Sequence, residues 1–476
     1  MKKIHFSIFL CALLTAIICL SSSLAIYAQS KSIEVTVYNQ NIALVKDQRS
    51  IDFKQGLNSI DIEDVSANIN ASSVLLKSLS DPNSIKILEQ NYKYDLISPE
   101  NILNKSVGQK ITVGDEKGIL LNPPKNGGIV VKTESGKLLL DPSGQKTLDT
   151  MPEGLYPKPT LNWLINSEKT GRQDIQLTYL TGGLNWVADY VALVNEDDTK
   201  LDLAGWVTIT NNSGTTYKDA KLTLLAGDVR IKKQTDYRDF LLYEAGRGEA
   251  AATPQFEEKS FFEYHIYKMA RTTTIADAES KQISLLNASN VPVKKEMTYD
   301  PRGSWFRSWW YPGRSSFDPG SGADTSNYHK INVTMVVKNS EENNMGMPLP
   351  KGTIRVYKLD DDKSQQFIGE DIIDHTPKNE EIRLYIGDAF DVVGDYKRTD
   401  YKKIAENVIE ESFEAEIRNH KKTAVEVRIA EHVWSDWKVV SKTHDFVKID
   451  ARTIHFPVKV PAEGKTTVKY TIRTKW

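Results

Sequence analysis

The chain has 476 residues, 40% of them hydrophobic and 26% charged, with a formal net charge of −2. These are the proportions of globular domains, and the length exceeds what one core supports, so two to four domains are expected. The near-neutral balance, with no clustered basic face, gives no reason to expect a nucleic-acid partner.

Met1-Lys2-Lys3 is a short positive region, Ile4 to Leu20 is almost continuously apolar, and Ile26-Tyr27-Ala28 ends on a small residue. That order reads as a signal peptide over residues 1–28, with a mature start near Gln29 and a secreted or cell-envelope location. An uncleaved anchor is the competing reading of the same run. Lipidation of Cys19 is disfavoured because Ile18, just before it, is not small. Both cysteines, Cys11 and Cys19, lie inside the leader. The mature chain would therefore have no disulfide, thiolate metal site or cysteine nucleophile. No other stretch is apolar for about eighteen residues, so no membrane span is expected after cleavage.

Period-2 alternation follows. Ile33, Val35 and Val37 alternate with polar residues, Tyr38-Asn39-Gln40-Asn41 turns the chain, and Ile42 to Val45 resumes the pattern. A second turn spans Asp52 to Leu57. Residues 29–98 thus read as N-terminal hairpins of a first β-domain. Residues 99–145 hold short apolar runs at 109–113, 118–121, 128–132 and 137–140, separated by tight turns. That density of strands predicts a small inserted β-barrel, with Pro99 and the stretch from Pro142 to Pro159 as its hinges. Residues 146–300 and 331–476 read as two β-sandwiches. Alternating strands there meet at asparagine turns, around Asn211-Asn212-Ser213-Gly214, Asn339-Ser340 and Asn419-His420, where Asn tolerates positive φ and hydrogen-bonds its own turn. Helix is expected only at Thr235 to Ala245. Residues 301–330 form an aromatic, Gly/Ser-rich loop. The fold class is all-β and multi-domain, with immunoglobulin-like sandwiches, the inserted barrel and few helices.

Five strings, Val37 to Val45, Tyr179 to Tyr190, Phe262 to Tyr267, Gly369-Glu370-Asp371 and Gly387-Asp388-Ala389-Phe390-Asp391, carry a resemblance. The chain resembles the bacterial DUF4139 domain family, of unknown function, over most of its mature length. The resemblance implies an exported, sandwich-rich envelope protein and no reaction. The long coiled coil of relatives with a mucoidy-inhibitor label is missing, so that label does not transfer.

Motifs for chemistry are sparse. Gly464-Lys465-Thr466 lacks the leading glycine and following helix of a phosphate loop. The eight histidines are scattered, and Asp374-His375 has no third ligand to name. Asp360-Asp361-Asp362 reads as a hairpin tip, its spacing unlike a calcium loop. Gly387 to Asp391 reads as a tight turn with Phe390 buried. Trp434 and Trp437 read as packing residues. No catalytic residue, metal or cofactor is expected. The candidate ligand-binding residues are Trp305, Phe306, Arg307, Trp309, Trp310 and Tyr311, five aromatics in a seven-residue run flanked by Arg302 and Arg314. Exposed rings stack on sugars and arginine pairs with anions, whereas the competing reading folds this loop onto a sandwich end.

The expected function is a non-enzymatic binding, adhesion or scaffold role in the cell envelope, with a cell-surface glycan or envelope protein as partner. One alternative is a glycan-acting enzyme or carbohydrate-binding module using residues 302–314. Another is an envelope assembly factor acting by strand pairing.

Overall fold

The computed structural model describes residues 30–122, 124, 128–227, 256–302 and 329–476. Most of these are in strands, which shows the expected all-β class. The one α-helix among the described residues is Pro99–Lys105, where Pro99 opens the first turn and the Ser98 side chain caps the Asn101 N–H. The helix expected at 235–245 and the aromatic run from Trp305 to Tyr311 lie outside the described residues.

The chain divides into two units, one of residues 1–186, 209–225 and 267–281, the other of 187–208, 226–266 and 282–476. In the first, strands Ser30–Tyr38 and Ile42–Phe53 form the expected hairpin, with Val35 opposite Val45. Gly171–Gly182 pairs along the whole second strand, from Phe53 to Ile42. A three-stranded sheet runs Gly56–Ile62, Thr160–Ser167, Ile85–Lys93. Both sheets bury one phase of their alternation: Val35, Val37, Val45, Ile175 and Leu177 in one, Ile60, Ile62, Leu161, Trp163 and Ile165 in the other.

The insert is a correction to the expected barrel. Its five strands are Lys110–Val113, Glu116–Leu120, Val130–Thr133, Leu138–Leu140 and Lys146–Thr147. They form an open sheet whose ends are Lys146–Thr147 and Leu138–Leu140. Strands of two and three residues offer too few backbone groups to pair with each other and close the ring.

Two strands are far longer than the rest. Glu279–Tyr299 has 21 residues and Glu381–Ala405 has 25. The first half of Glu381–Ala405 pairs with Lys330–Lys338 and the second half with Val408–Asn419, so one strand serves two sheet regions. The C-terminal core stacks Tyr396, Phe413, Tyr470 and Phe456, with successive ring centroids 5.5, 5.6 and 4.6 Å apart. Trp437 packs against this core and Trp434 against Trp476.

The three asparagine corners share one arrangement, with the expected hydrogen bonds within the turn but without the expected positive φ. Asn211, Asn339 and Asn419 are buried at strand ends, and none has positive φ. Instead each side-chain amide is a clamp. The Asn419 Nδ2 donates to the carbonyls of Thr423 (2.8 Å) and Pro461 (2.9 Å), while its Oδ1 accepts the Lys421 N–H (3.0 Å). Asn339 likewise donates to Met347 and Pro377 and accepts from Gly346. Asn211 donates to Thr215, Ile275 and Ala276 and accepts from Ser213.

Candidate functional site

Several of the strings that carry the resemblance pack inward. Val37, Ala43 and Val45, and likewise Tyr179, Trp186 and Tyr190, are buried. Gly369-Glu370-Asp371 and Gly387 to Asp391 instead meet at a surface formed by Gln365–Ile373 and Glu381–Ala405.

Three register shifts build that surface. Val356 faces Gly369 while Tyr357 faces Phe367, so Ile368 is extra. Val333 faces Gly387 while Thr334 faces Tyr385, so Ile386 is extra. Lys330 faces Val393 while Asn332 faces Asp388, which sets the four residues 389–392 against Ile331 alone. Bulges of this kind bend a strand and re-aim its side chains. Glycine is required at two of them. Gly369 has φ +154° and Gly387 +144°, and a Cβ on Gly369 would stand 2.7 Å from the Ile386 carbonyl oxygen.

Hydrogen bonds hold the bulges in place. The Tyr385 N–H donates to Asp371 Oδ2 at 2.8 Å, and its hydroxyl to Asp388 Oδ1 at 2.9 Å. Lys330 pairs with Asp388 Oδ2 at 3.0 Å. These carboxylates are occupied by internal partners and shape the surface. Ala389 packs against the C-terminal core, and its neighbour Phe390 turns outward.

The expectation that Phe390 is buried in a tight turn is therefore wrong. It lies within a long strand and is 93% exposed, because the wide bulge gives it no inward register position. Phe367 is 56%, Ile372 66% and Tyr385 46% exposed. Leaving one such side chain in water forgoes roughly 1.5–3 kcal/mol of burial, which a docking partner could recover.

A charged cluster lies on the outer phase of Glu279–Tyr299. Glu296 is almost wholly buried beneath basic side chains. Arg428 grips it bidentately at 2.6 and 2.7 Å, Arg383 bonds at 2.5 Å, and Lys294 lies at 3.2 Å. Burial alone would raise the carboxyl's pKa, but the hydrogen bonds from Arg428, Arg383 and Lys294 outweigh it and bring it from 4.5 to about 2. Because the folded value is the depressed one, the stabilisation is complete above pH ~4.5 and disappears as pH falls towards ~2. Denaturation midpoints are expected to fall across that window, and to fall less in Glu296→Gln. Parallel declines in the two proteins would contradict this.

On the inner phase of Val425–His432, Val427 and Ile429 enter the core, and Glu431 follows them at the next inward position. It is 0% exposed, accepts from Tyr396 Oη at 2.8 Å and from Tyr470 Oη, and pairs with Arg302 at 2.7 Å. A carboxylate in the inward phase of an apolar strand is a signal that the sequence itself carries.

The other sequence candidates have local partners. His375 Nδ1 accepts the Lys351 N–H at 3.2 Å, and Asp360 to Asp362 hydrogen-bond within their own hairpin tip. Lys465 pairs with Glu416 at 2.9 Å. Among the described residues, no three His, Cys, Asp or Glu side chains gather to hold a metal, and no helix is long and apolar enough to cross a membrane. No protein-family model matches the chain, and no curated protein is detectably similar to it.

Proposed function

We propose that this chain is an exported cell-envelope protein of the DUF4139 type that binds a surface glycan and does not transform it. The observation that carries this reading is Phe390, held outward by the wide bulge at residues 389–392 on a strand that also exposes Tyr385. Flat ring faces rimmed by polar groups suit sugar stacking. The nearby carboxylates Asp371 and Asp388 are tied to a backbone amide, a phenol and a lysine, which fits a rigid binding surface better than proton transfer. The leader-like N-terminus supports placement in the envelope.

The test is Phe390→Ser. Its melting temperature is expected to match wild type, since exposed positions usually shift stability by no more than about 0.5 kcal/mol. Retention on purified cell-wall polysaccharide is expected to be lost. Unchanged retention would overturn the reading, and a large drop in melting temperature would make Phe390 a packing residue.

A further inference from the structure

The outer face of the inserted five-stranded sheet is the wrong chemistry for water. The inner phase makes a small core of Ile111, Val113, Leu120, Ile129 and Val131. The outer phase of such a sheet is ordinarily polar. Here Lys110 lies opposite Ile119, Ile119 opposite Lys132, and Lys132 opposite Leu138, one row across four strands. Leu140 faces Val130 in the next row. Ile119 is 43%, Leu121 44%, Leu138 59% and Leu140 75% exposed. Lys110, Lys117 and Lys132 share this phase and are exposed, whereas the carboxylates that continue it, Asp115 and Glu134, lie in the adjoining turns. None of the three lysines has an ion pair among the described residues.

Aliphatic side chains interleaved with unpaired lysines select the partner. A second copy docked about a two-fold axis would set the lysines against lysines or aliphatic side chains, with no counter-charge opposite the row. A polyanion without an apolar part would leave Leu138 and Leu140 in water. Anionic headgroups above a hydrocarbon boundary satisfy both groups, the lysines at the phosphates and the leucines just beneath. We propose that this face docks on an anionic membrane surface. The inference is independent of the glycan reading, which concerns another part of the chain.

The test is co-sedimentation of the full chain with phosphatidylglycerol-containing vesicles and with pure phosphatidylcholine vesicles. The variants Lys110→Gln/Lys132→Gln and Leu138→Ser/Leu140→Ser retain residues 1–28, so any contribution of the apolar leader is common to all. Wild type is expected to prefer the anionic vesicles, with binding weakened by salt. The lysine pair should lose about 25-fold, at roughly fivefold per lysine near the surface. The leucine pair should lose about tenfold while its circular-dichroism spectrum stays that of wild type. Equal binding to both vesicle types, or wild-type binding by both variants, overturns the proposal. So does a wild-type dimer that the leucine variant dissociates, because that assigns the face to a second copy.

Discussion

Replacing Glu431 with alanine is expected to destabilise the protein by about 3–5 kcal/mol, as breaking a buried ion pair by removing one partner does. The side chain is wholly enclosed and serves three donors at once: Tyr396, Tyr470 and Arg302. Burial, and then the Glu431 charge, push both tyrosines well above their ordinary pKa. Burial works against the Arg302 charge, but Glu431 and the two tyrosines more than restore it. Without Glu431 the guanidinium keeps its charge and loses its counterion, and two buried hydroxyls lose their acceptor. Denaturant unfolding monitored by aromatic fluorescence measures the loss. The double variant Arg302→Met/Glu431→Leu is expected to be destabilised by less than the sum of its single changes, since no orphan charge remains. Additive losses would show that Arg302 and Glu431 are not energetically coupled.

The second large effect is at the asparagine clamps. Asn419→Ala is expected to cost roughly 3 kcal/mol, about 1 kcal/mol for each of the three hydrogen bonds that the buried side chain makes to two carbonyls and one amide. The same change at Asn211 and Asn339 should cost a similar amount, since each makes the equivalent set of bonds. Aspartate separates this mechanism from a turn preference. Asp suits turns as well as Asn does, but it cannot donate to the carbonyls of Thr423 and Pro461. Asn419→Asp should therefore unfold more readily than Asn419→Ala, and an aspartate variant as stable as wild type would refute the clamp.

Much of the strand content was legible because alternation is a local property. Val35 and Val37, or Ile111 and Val113, show their inward phase within a few residues. The positions of the asparagine corners and their hydrogen bonds within the turn were legible too, but their distant partners were not. The carbonyls that Asn211 serves at Ile275 and Ala276 lie more than sixty residues along the chain. Phe390 was misread because a bulge is a mismatch between two strands, and neither strand alone reveals it. The inward phase of Glu431 was legible, but its partners Arg302, Tyr396 and Tyr470 were not, because they come from three distant segments.

What the amino-acid order determined by itself is the β class and the phase of the regularly alternating strands, because backbone pleating and hydropathy act over a handful of residues. Only the tertiary structure decided which strands pair, where registers slip and which side chains those slips expose. Those outcomes depend on pairings between distant segments such as 365–373 and 352–359 or 381–393 and 330–338, whose relative register neither segment encodes alone.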